Sequence, residues 1–409
     1  MLKRIMLVTA LLGATTVIAE TGRADDTYGI HFSATFRPEL GFVDASMTVS
    51  QTAGELEWLD MNAAEGRTFE FAGDGQVRRD AGRVRWDVPR AGGQLRWRVR
   101  VDRLRGDHYD ARMTRDWALL RIDHLFPPAH VSTRGRERSQ STLDLKGPRG
   151  WSFETRYGRV DDLVPLPPGP RRFTRPTGWM MAGKMGVRRD TIAGRRVVIA
   201  GPRGERLRSQ DILALLHWTL PELVALLPHF PERLLIVNAG DPLWRGGLSG
   251  PDSLYLHSAR PLISADGTST PVHELVHVGT SSEAEPGNDW IVEGLAEFYS
   301  IELLRRSGTI SRGRARRTFA SIEARAQRGK GELRSPSSGV HTARAVTVFH
   351  DLDRELRKAK VAKGLDAVAT PLLDGPPLSR AALEARVTEL LGRPSNVLEN
   401  AFERYLQTP

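Results

Sequence analysis

The sequence of 409 residues contains no cysteine. Disulfides are therefore excluded, and so are thiolate metal ligands and a cysteine nucleophile; a metal in this protein must be held by nitrogen and oxygen. Long hydrophobic runs are nearly as scarce. After residues 5–18, no stretch approaches the roughly 18 uninterrupted apolar residues expected of a membrane span. Lysine is sparse beside arginine, and the formal charge is +10. The densest basic cluster is Arg305, Arg306, Arg312, Arg314, Arg316 and Arg317. It reads as a solvated helix end and the start of the next helix, and no nucleic-acid partner is expected. Tyrosine is missing altogether between Tyr299 and Tyr405.

The apolar run at the start is preceded by Lys3 and Arg4 and followed by small residues at Ala19 and Ala24. That is the pattern of a secretory signal peptide over residues 1–24, too short for a comfortable membrane span. Export without cysteine fits a bacterial periplasm or secretion. No stable membrane span is expected after signal cleavage.

Residues 25–163 read as a β-rich domain. Apolar and polar residues alternate over 29–36, 83–88 and 95–101, and Gly/Asp clusters at 72–75 and 91–93 break the runs as turns. Short strands with frequent turns suggest a sandwich with Trp58, Trp86, Trp97, Trp117 and Trp151 in its core. The stretch 164–179 is rich in Pro and Gly, which disfavour helix and sheet interior alike, and reads as a linker. From 180 to 409 the texture changes. Buried strands are expected at 196–200, 233–238 and 253–257, with a helix over 210–227 between the first two. Helices are expected again at about 310–328, 340–361, 379–392 and 395–407. The fold class is α+β.

The chemistry concentrates in His273-Glu274-Leu275-Val276-His277. Imidazoles four residues apart lie about 40° apart on one face of a helix, where one cation can sit between them. Zinc suits imidazole nitrogen, and a catalytic zinc takes three protein ligands and keeps a fourth position for water. Glu274 follows the first ligand directly and is placed to act on that water as general base. Thr270 as cap and Pro271 in the first turn predict where the helix starts. A second helix is expected from Asn288 or Asp289 to near Gly308. Gly294 inside it costs about 1 kcal/mol against alanine, which makes sense if another helix passes close by. Glu293, beside that glycine, then points at the metal as third ligand. Glu297 lies one turn further along the same face and competes for that role.

His273-Glu274-x-x-His277 followed by Glu293-Gly294-x-Ala296-Glu297 resembles the gluzincin metallopeptidases, among them the aminopeptidase N and glycyl aminopeptidase families. The spacer of fifteen residues between His277 and Glu293 is shorter than is usual in the aminopeptidase N family. The resemblance implies one Zn2+ held by His273, His277 and Glu293, with Glu274 as base. It also implies a thermolysin-like domain of a small sheet plus helices behind the N-terminal β domain, and a peptide or protein substrate.

An extended substrate is commonly held by adding a strand to a sheet edge. Gly246, Gly247, Leu248 and Ser249, running into the strand at 253–257, are the expected substrate-binding segment. In the resembling aminopeptidases a similar segment carries a glutamate for the substrate's free amine; here Ser249 and Gly250 stand at that point, and Asp252 lies beyond. Those enzymes also stabilise the oxyanion with a tyrosine on a later helix. In its place this sequence offers His341 or Arg344, and His341 is the expected catalytic donor. The leading expectation is zinc-dependent peptide hydrolysis, with amino- versus endopeptidase action left open. The alternative is a metal-binding but weakly active or inactive homologue acting as a peptide-binding or assembly factor.

Overall fold

A computed structural model describes residues 27–405 except 64, 206, 329–332, 334 and 335. The expected signal peptide lies outside the described residues.

The N-terminal part is a sandwich built on strict alternation. Thr27–Arg37 buries every second residue, so Tyr28, Ile30, Phe32, Ala34 and Phe36 all face one core. This strand lies near the middle of a six-stranded sheet, between Phe42–Ser50 and Arg138–Lys146. A second six-stranded sheet, containing Trp117–Arg121 and Trp179–Gly183, faces the same core, and a four-stranded sheet closes one side. Of the five tryptophans expected inside, Trp86 and Trp97 are buried, and Trp58, Trp117 and Trp151 are half-buried.

The second sheet also joins the two halves of the chain. Trp179–Gly183 is buried at every position. Met180 and Ala182 point into the sandwich core, whereas Trp179 and Met181 point the other way. There they pack on Val198, Ala200, Leu235, Val237 and Tyr255. Those residues belong to a five-stranded sheet in the order Met185–Ile192, Arg195–Pro202, Arg233–Ala239, Ser253–His257, Gly247–Gly250. The join is therefore sheet on sheet. Within the stretch read as a linker, Val164–Pro165 pairs with Arg138–Lys146, and Arg175 donates to the Phe126 carbonyl.

In the five-stranded sheet the three central strands run parallel, and a β-α-β crossover through α1 (Ser209–Leu226) joins the first two. Its far face, with Val197, Ile199, Ile236, Leu254 and Leu256, meets α1 and the later helices. These are α2 (Thr270–Gly279), α3 (Asp289–Arg306), α4 (Arg312–Arg328), α5 (Val340–Lys358), α6 (Asp366–Leu373), α7 (Arg380–Leu391) and α8 (Asn396–Tyr405). The short α6, with Pro371 inside it, has no counterpart in the sequence reading. Among the described residues no helix is long and apolar enough to cross a membrane.

Candidate metal centre

Helix α2 carries the two histidines. Ser269, rather than Thr270, caps it: its hydroxyl accepts from the Val272 amide, while Thr270 receives the Arg260 guanidinium. Val272, Leu275 and Val276 bury the opposite face. Helix α3 is pressed against α2 and is almost wholly buried along its length. Gly294 makes this possible. A Cβ there would lie 2.6 Å from the Ala345 Cβ and within 3.0 Å of the Phe349 ring, so α5 crosses α3 at the glycine.

The neighbouring residue, Glu293, meets the histidines. Its two oxygens lie 3.4 Å from His273 Nε2 and 3.4 Å from His277 Nε2, and the two Nε2 atoms are 3.1 Å apart. A tetrahedral zinc with bonds of about 2.0–2.1 Å places its ligand atoms roughly 3.3–3.4 Å apart. The donor set, two imidazole nitrogens and one carboxylate oxygen, and its triangular spacing both fit that ion. These three form the single such His/Asp/Glu cluster among the described residues.

The electrostatics point the same way. Burial opposes a charge on His273, but hydrogen bonds to Glu293 and Glu297 outweigh it and hold the imidazole's pKa at about 10. Burial likewise opposes the charged form of Glu293, yet His273 and His277 bring its carboxyl down to about 2. The pocket thus favours positive charge between its carboxylates.

Glu297 faces the other nitrogen of the first histidine: its Oε2 is 3.1 Å from His273 Nδ1. It orients the ring and leaves Nε2 for the metal, so it stands behind the ligand set.

Glu274 turns toward the sheet. Its Oε2 accepts from the Ser249 amide at 2.7 Å. The strand Gly247–Gly250 that carries this amide is an edge, paired to Ser253–His257 alone. Because the His257 amide donates to Gly246, antiparallel alternation turns the polar groups of Gly247 and Ser249 outward. Leu248 packs toward the N-terminal sheet, so the Ser249 side chain lies on the opposite face, the face of α2. Gly247 has no room for a Cβ, which would come within 2.8 Å of Thr270 and 3.0 Å of Glu274. The segment Gly246, Gly247, Leu248 and Ser249 therefore runs directly along the metal helix.

His341 stands outside the metal-facing cluster. It is half-buried in the first turn of α5, one turn before Ala345. Arg344 points elsewhere, to the Ala326 carbonyl and the Tyr405 ring. Asp252 is tied to Arg156 of the N-terminal half. That tie, like the bond from Glu274 to the Ser249 amide, joins groups far apart in sequence, and no local pattern announces either.

No protein-family model and no curated protein matches the chain. Solved structures do match it in fold. An aminopeptidase N family protein from Idiomarina loihiensis aligns with a TM-score of 0.66 over 93% of this chain and 74% of its own, at 15% identity. Native yeast LTA4 hydrolase aligns with a TM-score of 0.58 over 96% of this chain and 70% of its own, at 11% identity. The fold is therefore the one these two proteins share: a β-rich N-terminal part followed by a sheet and helices.

Proposed function

We propose that the protein is a zinc-dependent hydrolase of peptide bonds, working in the periplasm or outside the cell. The observation that carries this reading is the 3.1–3.4 Å triangle of His273 Nε2, His277 Nε2 and the Glu293 carboxylate, with the carboxylate of Glu274 next in sequence to the first ligand. The fold neighbours, by their names an aminopeptidase and a hydrolase, are consistent with it. Export rests on the sequence of residues 1–24.

His273, His277 and Glu293 would hold the ion, and Glu297 would fix the His273 tautomer. Zinc in such a site polarises the scissile carbonyl and acidifies water. The outward groups of Gly247 and the Ser249 carbonyl align an extended chain against the edge strand. Glu274 removes a proton as the water oxygen bonds to the carbonyl carbon, then delivers it to the leaving nitrogen as the C–N bond breaks. His341, at the start of α5, is the proposed donor to the developing oxyanion.

The test is zinc analysis and a peptide-cleavage screen of wild type beside variants. About one zinc per chain is expected. Glu274→Gln should keep that zinc and lose turnover, and His277→Ala should lose the zinc. Turnover undiminished in Glu274→Gln would refute the assignment of the base, and full zinc in His277→Ala would refute the ligand set. His341→Ala should lower kcat with KM unchanged.

A further inference from the structure

We propose that this site cuts internal peptide bonds and accepts substrates whose N-terminus is blocked or lies well away from the cut. The inference rests on the peptide-hydrolase reading above and names its substrate class.

The cleft does not end at the metal. A cavity of about 360 Å³ begins at His277 and runs past Ser249, Gly250 and Asp252 to Ser281 and His229. That volume falls within the range of ligand-binding clefts. A chain laid along Gly247–Gly250 passes the metal cluster and continues into this space, whichever direction it runs.

Removing residues one at a time from a free N-terminus requires recognition of an ammonium group beside the metal. An ammonium taken out of water needs a carboxylate partner. Among the described residues, the carboxylates nearest the metal cluster and the cavity each already have a partner. Glu293 faces both imidazoles, Glu297 holds His273 Nδ1, and Glu274 accepts from the Ser249 amide. Asp252 is paired with Arg156, and Asp374 with His229 and Ser281. Asp289, one turn before Glu293, takes the Ser337 amide, and its other oxygen is buried without lining the cavity. The edge-strand side chain that faces α2 and lines the cavity is the neutral Ser249. At the far end the cavity meets Arg156, through Asp252, and His229. An ammonium there meets only Asp252, which is already paired with Arg156, whereas a neutral peptide chain needs no counter-charge.

The experiment compares one peptide of mixed sequence with a free amine and the same peptide N-acetylated, using full-length zinc-loaded protein and mass spectrometry of the fragments. The expected result is internal cleavage of the acetylated peptide at a kcat/KM within about threefold of the free one. Single residues released from the free peptide, with the acetylated one untouched, would overturn this inference and leave the hydrolase reading standing. Cleavage of neither peptide by protein that holds zinc would overturn the hydrolase reading, and the inference with it. Ser249→Glu supplies the missing carboxylate and should shift preference toward the free amine by about tenfold or more. An unchanged ratio in that variant would show that charge at this position does not set the specificity, and would overturn the argument from the committed carboxylates.

Discussion

Gly294→Ala pits two effects of opposite sign against each other at the metal. Helix propensity alone favours the substitution, because alanine is better than glycine inside a helix by about 1 kcal/mol. Packing opposes it. The new methyl would sit 2.6 Å from the Ala345 Cβ and 2.9 Å from the Phe349 ring, against an optimum of about 3.5–4.0 Å between carbons. Ala345 has no rotamer to yield and Phe349 is fully buried, so α3 and α5 must separate by about 1 Å. Overpacking of this kind costs about 1–3 kcal/mol, and two simultaneous clashes argue for the upper end. Set against the propensity gain, a net loss of about 2 kcal/mol is expected. Glu293 is the adjacent residue, so the same displacement should weaken zinc. The assay is urea unfolding of the chelated protein together with a zinc titration. Ala345→Gly in the same chain should restore part of both losses, and the double-mutant cycle isolates the contact. A Gly294→Ala protein as stable as wild type, with unchanged zinc affinity, would refute the reasoning.

Two further predictions concern the ligands. Glu297→Gln removes the charge behind His273 and should raise the zinc Kd about 10- to 100-fold without abolishing binding; outright loss of zinc would make Glu297 a ligand. In chelated protein the His273 contribution to stability is complete below its ordinary pKa of 6.5 and fades as pH rises through about 10. That of Glu293 is present above 4.5 and fades as pH falls through about 2. Unfolding free energies of chelated protein should therefore fall between about pH 6 and pH 10, while zinc affinity rises over the same range as the His273 proton is displaced. Chelated protein that gains stability over that range would contradict the arrangement of the three side chains.

Local periodicity made much of the architecture legible. Alternation over 29–36, 83–88 and 95–101 falls on strands, because a half-buried strand writes its two faces into every second residue. The spacing of His273 and His277 reads directly as one face of α2, and Gly294 reads as a close helix crossing, since both depend on the 3.6-residue turn. The sequence reading places Glu293 at the metal with Glu297 competing, but the helical period alone does not separate the two. Both lie on the same face of α3, and only the level at which α2 crosses assigns one to the two Nε2 atoms and the other to Nδ1. The role of Trp179–Gly183 was equally hidden. A strand buried on both faces carries no alternation, so its sequence cannot say that it serves two cores. The same holds for Asp252, whose carboxylate looks free until Arg156, 96 residues earlier in the chain, folds onto it. Periodicity records which way a side chain points from its own element. What it meets there depends on how distant elements pack, and only the tertiary structure decides that.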